Sequence, residues 1–308
     1  MTDIKLSRRN ILAGAAALPV AAGATTALAD GHAAAPVNAL QNSFELGEFQ
    51  VSTLLAGTRA VEDIQSIFGM NVTPEEFAKV SQENFIPADK AQFFFTPTVV
   101  RTGSDVVLFD TGLSAAGTVP ALTQAGVSAG DVTIVVITHM HGDHIGGLTD
   151  DSGAPTYPNA RYVTGQVEYD TWAATDNETF AAKVKPLADK FSFIGGGDDV
   201  VSGVTAVEAF GHTPGHMAYM VESGNEQVLL MADAANHYVW SLAYPEWEVR
   251  FDQDKAAAAA TRKKLLGMVA ADRIPLIGYH MPFPGIGYVT EAGPGSYHYV
   301  PATYQLML

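Results

Sequence analysis

The chain has 308 residues, 47% of them hydrophobic and 16% charged, with a formal net charge of -16. That length buries a sizeable core in one large domain or two small ones, while the acidic balance repels a phosphate backbone and excludes nucleic acid as the expected partner. With no cysteine present, disulfides and thiolate metal ligands are impossible, so any metal must be held by imidazole and carboxylate.

The N-terminal segment reads as an address. Arg8-Arg9 precede an apolar run from Ile11 to Leu28, and Ala27-Leu28-Ala29 supplies the small residues of a cleavage site. The pattern resembles a twin-arginine signal, which implies that residues 1–29 are removed, that the twin-arginine export machinery is a partner, and that the mature form is periplasmic without a membrane span. Residues 30–42 are Ala-rich and aperiodic, as in a flexible linker. One folded domain is expected over 43–308, because no Pro/Ser-rich stretch or charge run divides it.

From Phe44 to Leu55, alternating apolar and polar residues predict a strand bounded by glycine. Residues 57–90 are polar and irregular, apart from a short helix opened by Thr73-Pro74-Glu75-Glu76, and form a candidate cover over a site. Strands are predicted over 93–100 and 105–110, joined through Thr102-Gly103-Ser104. The apolar, β-branched run 131–138 predicts a buried strand and 161–164 another, followed by helices over 166–174 and 178–190. Strand character returns over 200–210, 216–221 and 227–231; 255–271 is the clearest helix and 274–278 a last buried strand. Strands interspersed with helices predict the α/β class, with two sheets packed between helices in a four-layer αββα arrangement.

Directly after the strand at 131–138 stands His139-Met140-His141-Gly142-Asp143-His144, with Gly146-Gly147 behind it. In an extended segment residues two apart project to one side, so His139 and His141 can grip one ion together. Asp143 and His144, where the chain turns, are free to aim at a second. Imidazole and carboxylate are the ligands zinc takes when thiolate is absent.

This spelling resembles the HxHxDH signature of the metallo-β-lactamase superfamily. The resemblance implies the metallo-β-lactamase fold and further ligands in family order: His212 in Gly211-His212-Thr213-Pro214-Gly215-His216, Asp233 after Met231-Ala232, and His280 after Tyr279. It assigns His139, His141 and His212 to one divalent ion and Asp143, His144 and His280 to another, with Asp233 between them and zinc the expected metal. Asp143 and Asp233 are also the expected catalytic carboxylates, orienting a metal-bridging hydroxide that acts as nucleophile. Two divalent ions, two carboxylates and one hydroxide leave about one positive charge to meet an anionic transition state. Asp110-Thr111-Gly112 matches a family element whose aspartate supports the ligand loop, and His216 is expected to be an outer partner of the ligands. His32, His237 and His298 belong to no motif.

Within the superfamily, His280-Met281-Pro282-Phe283-Pro284-Gly285-Ile286-Gly287-Tyr288-Val289 and the segment 211–216 resemble the methyl parathion hydrolase and lactonase-like group, and the likeness runs from about Phe44 to near the C-terminus. It implies hydrolysis of a small ester-like molecule, a lactone or aryl ester, with phosphotriesterase as a side activity, and a homodimer. Trp172 and Phe180 are the expected aromatic walls of the substrate pocket, and Phe93-Phe94-Phe95 the expected core. The organophosphate-degrading relatives carry an aromatic residue in the loop after Asp-Thr-Gly, where this chain has Leu113-Ser114-Ala115-Ala116-Gly117-Thr118-Val119; that departure favours lactone or aryl ester over phosphotriester. Two rival readings remain at this point. One is a mononuclear iron sulfur-oxidising dioxygenase on the same scaffold, which the complete two-metal set opposes; the other is a non-catalytic exported metal-binding protein.

Overall fold

The computed structural model describes residues 39–150 and 152–302, so the expected signal segment 1–29, residues 30–38 of the expected linker, and His32 lie outside the described residues. The chain begins with β1 (Gln41–Leu46) and β2 (Phe49–Leu54), an antiparallel hairpin. The stretch read as one strand is therefore two, turned at Gly47, whose φ of 58° suits glycine. β1 also starts inside the expected linker. β3 (Gly57–Glu62) and β4 (Lys90–Phe95) pair as a separate two-stranded sheet around α1 (Pro74–Glu83). That helix starts where Thr73 accepts the Glu76 N–H, as the Thr-Pro-Glu-Glu signal predicts. The expected strand 93–100 is broken at Thr96-Pro97, where proline has no N–H to give a ladder, and resumes as β5 (Thr98–Arg101).

The remaining first half comprises β6 (Val106–Phe109), α2 (Ala115–Gln124), β7 (Ile134–Ile137), α3 (Gly142–Ile145), β8 (Arg161–Gly165), α4 (Gln166–Ala173), α5 (Glu178–Lys183) and β9 (Phe191–Ile194). The second half holds β10 (Asp199–Val201), β11 (Val204–Glu208), β12 (Met217–Ser223), β13 (Glu226–Ala232), α6 (Lys255–Asp272), β14 (Leu276–Gly278), β15 (Ile286–Gly293) and β16 (Ser296–Pro301). The helix expected over 178–190 ends at Lys183 and continues as a tighter turn over Lys185–Lys190, which begins next to Pro186.

Strand order is β1-β2-β5-β6-β7-β8-β9 in one sheet and β10-β11-β12-β13-β14-β15-β16 in the other. β6, β7, β8 and β9 run parallel. Such strands are covered on both faces, which is why Ile134-Val135-Val136-Ile137 is apolar without interruption and wholly buried. The period of two then sorts the side chains: Phe109 and Val136 face the other sheet and join Tyr219 and Leu230, while Leu108 and Val135 pack under Ala121 and Leu122 of α2. Outside the second sheet, Leu229 and Met231 meet Leu265, Leu266 and Val269 of α6. Helix, sheet, sheet and helix thus form the four expected layers. A further cluster, with Phe68, Phe77, Trp240 and Trp247 at its centre, fixes the 57–95 segment against 238–249. Among the described residues no helix is long and apolar enough to cross a membrane.

The ends of β6, β7, β13 and β14 lead directly into Asp110, the His139 loop, Asp233 and the Tyr279-His280 turn. Asp110 (φ 60°) and Ala232 (φ 45°) adopt left-handed backbone there. Each such conformation costs about 1–2 kcal/mol in a residue with a Cβ, so the surrounding packing must hold it.

Candidate metal centre and its pocket

All seven expected ligands converge. His139, His141 and His212 form one triad, Asp143, His144 and His280 another, and Asp233 joins His139 and His144; in each group the donor atoms lie within 4.8 Å of one another. Asp233 is the shared member: Oδ1 is 3.4 Å from His144 Nε2, while Oδ2 is 3.4 Å from His212 Nε2 and 3.2 Å from His280 Nε2. His280 Nε2 also lies 3.3 Å from Asp143 Oδ2.

The far side of each imidazole shows what its near side offers. His280 Nδ1 lies 2.8 Å from the Phe94 carbonyl, which can only accept, so the ring donates there. His212 Nδ1 lies 2.9 Å from Asp252 Oδ1 and His144 Nδ1 2.8 Å from Asp110 Oδ2. Thr138 Oγ1 donates to Asp110 and accepts from His139 Nδ1 at 3.1 Å. With the Nδ1 protons engaged, the Nε2 lone pairs of His139 and His212 both face His141 Nδ1 at 3.0 Å, three nitrogens crowded with too few protons to pair them. His144 Nε2 and Asp233 Oδ1 are buried with no hydrogen-bond partner. A cation satisfies both conditions, so the residues present fit a pair of divalent ions.

The electrostatics point the same way. Burial, reinforced by His144, His141 and His212, holds His139 well below the usual imidazole range, and burial with His212 brings His141 down to about 3. Burial opposes charge at His144 and His280 too, yet the carboxylates win: Asp110, Asp233 and Asp143 hold His144 well above its ordinary value, and Asp233 with Asp143 pushes His280 up to about 10. Burial would raise Asp143 and Asp233, but His144 and His280 bring Asp143 to about 2 and hold Asp233 well below the carboxylate range. The acidic half of the site therefore demands positive charge, whereas the all-histidine half offers neutral lone pairs.

Outer contacts explain how loops far apart in sequence keep this register. As expected, Asp110 supports the ligand loop, accepting the Thr138 N–H at 2.9 Å, and Thr111 donates its hydroxyl to the His144 carbonyl at 2.7 Å. His216 is likewise an outer partner: its Nε2 accepts the Asp233 N–H at 3.1 Å and its Nδ1 donates to the Ala209 carbonyl. Three supports carry no sequence signal. Glu168, fully buried on α4, accepts from Met140 N–H at 2.9 Å, Thr213 hydroxyl at 2.7 Å and Gly215 N–H at 3.0 Å, so one carboxylate clamps both histidine loops. A Cβ on Gly215 would collide with the Glu168 backbone. Asp252 holds His212 and is itself held by the buried Arg262 at 2.8 Å. Tyr279 packs against His144 with ring centres 4.0 Å apart and planes tilted by 31°, and donates to the Asp143 carbonyl at 2.5 Å. Buried Glu, Asp and Arg look like surface residues in a sequence, because their partners are set only by the fold.

The ligands floor a cleft of about 450 Å³ whose walls include Val61, Ile67, Phe93, Phe95, Leu113 and Phe251, with Arg59 and Arg250 among them. This corrects two expectations. Phe180 is fully buried in the core beside Tyr169, because α5 turns its apolar face inward. Trp172 sits edge-on to His141 at 5.6 Å and packs on the same core, so it buttresses a ligand rather than lining the cleft. Phe93 and Phe95, expected as core alone, are buried and line the cleft as well, both edge-on to His280 at 5.5 Å. His237 caps the turn at Tyr238–Ala243 and stacks on Trp240, and His298 is exposed on β16.

Comparison with known proteins matches this architecture. Over 137 residues the chain is 30% identical to the probable metallo-hydrolase Rv2300c of Mycobacterium tuberculosis, a match covering 38% of this chain and 41% of that protein. Over 115 residues it is 30% identical to an N-acyl homoserine lactonase of Bacillus thuringiensis, covering 37% and 43%. The chain thus spans about two-fifths of the length of these curated relatives. Among solved structures, AidC, a dizinc quorum-quenching lactonase in complex with a product, superposes with a TM-score of 0.80 at 26% identity, covering 86% of this chain and 99% of AidC. The family model of the metallo-beta-lactamase superfamily matches residues 96–275, more than half the chain and the stretch that carries every ligand but His280, and the chain belongs to that superfamily.

Proposed function

We propose that the protein is a metal-dependent hydrolase that opens a lactone or an aryl ester, with two divalent cations, zinc the expected one, held by His139, His141 and His212 and by Asp143, His144 and His280, and with Asp233 shared. The observation that carries this reading is the position of Asp233, whose carboxylate faces His212 of one triad and both His144 and His280 of the other. Bound there, the cations would supply Lewis acidity toward a carbonyl oxygen and activate water near neutral pH.

The chain's own residues do the rest. Asp143, only partly buried, is an acceptor reachable from the cleft and suited to orient an attacking water and take its proton. Asp233 holds the two halves of the site in register. Phe93, Phe95, Val61 and Ile67 exclude water and seat an apolar portion of the substrate. The wall after Asp-Thr-Gly is Leu113, half exposed and aliphatic, which supports lactone or aryl ester as the main substrate class and phosphotriesters as a side activity. Likeness to an N-acyl homoserine lactonase and to AidC supports lactones first. On the sequence alone we further read the protein as exported through residues 1–29 to the periplasm, and as a homodimer.

The test is a hydrolysis panel on metal-analysed protein, comparing a small lactone, an aryl ester and a phosphotriester. Turnover of the lactone or ester with two metals per chain is expected. No turnover of any member at full metal content would overturn the reading in favour of metal binding without catalysis.

A further inference from the structure

The cleft over the metal centre carries two cationic side chains that hydrolysis of a neutral substrate does not require. Arg59 on β3 and Arg250, just after the bridge between Phe68 and Val249, both line it. Cations are scarce in this chain, 17 Lys and Arg against 33 Asp and Glu, and most of the other described arginines are engaged. Arg262 is buried and donates to Ala234, Pro245 and Asp252, Arg101 donates to Gln50 and Gly126, and Arg161 donates to the Val200 carbonyl. Among the described residues the side chains of Arg59 and Arg250 have neither a hydrogen-bond acceptor nor a carboxylate within ion-pair distance, and both residues are exposed. Arg250 lies over the Phe251 ring at 5.1 Å, a contact that steadies the guanidinium plane at the wall.

A guanidinium stays charged at every working pH and presents a fork of donors shaped for an oxyanion. The net charge of -16 gives the molecule a field that turns anions away, so an anionic substrate needs local positive charge at the mouth of the site. A neutral one does not. We propose that Arg59 and Arg250 recognise a compact oxyanion, a carboxylate or a phosphate, on the substrate remote from the scissile bond, so that the preferred lactone or ester is anionic. This rests on the hydrolase reading above.

The test has two arms on the metal-loaded protein. In the first, kcat/KM is measured for a lactone with a side-chain carboxylate, for its methyl ester, and for the matching phosphate monoester. The two anionic forms identify which oxyanion is preferred. The wild type is expected to favour an anionic form by about ten-fold or more, as for a charge-assisted hydrogen-bonded pair, with the preference carried by KM and weakened in 0.5 M NaCl. R59A/R250A is expected to bring the ratio close to one, and R59K/R250K to retain part of it. In the second arm, binding of phenylacetate and of phenylphosphonate is followed by calorimetry, with metal content and thermal unfolding as controls; the alanine pair is expected to weaken binding of the preferred anion at least ten-fold. An anionic preference in kcat/KM that R59A/R250A leaves unchanged, or equal losses for neutral and charged lactones as flat stacking would give, overturns the proposal. Arginine-dependent anion binding without turnover of any lactone leaves the anion site standing and removes the hydrolase reading instead.

Discussion

The floor and the walls of the cleft are built on different principles. Every histidine of the floor is fixed from behind by a contact, to buried Thr138, Asp110 or Asp252, to partly buried Trp172, or to the Phe94 carbonyl. The walls offer side chains from β3, β4 and the 250–251 segment, several of them exposed and without polar partners. Supporting contacts behind the ligands preserve donor geometry to fractions of an ångström, which metal chemistry needs. A wall only has to match shape and charge. Substitutions in the floor should therefore abolish activity, and substitutions in the walls should redistribute it.

The largest expected effect comes from the floor. Asp233→Ala, by removing the member shared between triads, is expected to lower turnover by roughly 10³-fold, since the proposed water-activating site is lost; metal content and folding measured on the same sample distinguish this from collapse. Chelation tests the same region without mutation. If the cations are present at about a thousand times their dissociation constants, removing each costs about 4 kcal/mol and removing both about 8 kcal/mol, or roughly 20 °C in a domain of this size, readable by calorimetry. No change in melting temperature would mean that the loops are held without ions.

Glu168→Gln probes the support beneath the floor. The amide retains one acceptor oxygen, so either Met140 N–H or Gly215 N–H loses its partner. Metal affinity is expected to fall about 10–100-fold, as for other outer partners of ligands, with kcat per bound metal falling less than affinity. His237 lies on the wall side, and there burial brings its ring down to about 3. Because the folded pKa lies below the unfolded one, near 6.5, its contribution is complete above pH 6.5 and is lost as pH falls from there toward 3. Urea unfolding should show about 2–3 kcal/mol of that loss by pH 4.5, and His237→Asn, which keeps a capping acceptor, should reduce it by a similar amount. The smallest effect belongs to Leu113→Phe, which restores an aromatic wall and should shift the ratio of aryl to alkyl substrates by only a few-fold.

The same division explains what the sequence discloses. Ligands are legible because chemistry restricts their types and strand ends restrict their spacing; His139 to His144 sits on a turn that any extended apolar run would have to make. Asp110 and His216 are legible through the motifs that contain them. Glu168 and the Asp252–Arg262 pair are not, since their function is a relation between segments 28 to 47 residues apart or a helix that folds back, and a lone charged residue in a sequence looks solvated. The walls fail for another reason. Outside α1, residues 57–90 read as irregular because their apolar residues, Val61, Ile64, Ile67 and Phe68, pack with 238–249, a partner distant in sequence. Phe180 is an expected aromatic wall, yet the turn of α5 directs it into the core.

The acceptor behind His280 is the main chain of residue 94, while the side chains on either side of it, Phe93 and Phe95, line the cleft. A carbonyl group is common to all twenty amino acids. Mutation at 93, 94 or 95 can therefore remodel what the cleft admits, but it cannot delete the group that orients the ligand. Natural variation or a directed library confined to this strand has room to change selectivity with the reactive centre kept intact, provided the residue at 94 leaves the strand paired.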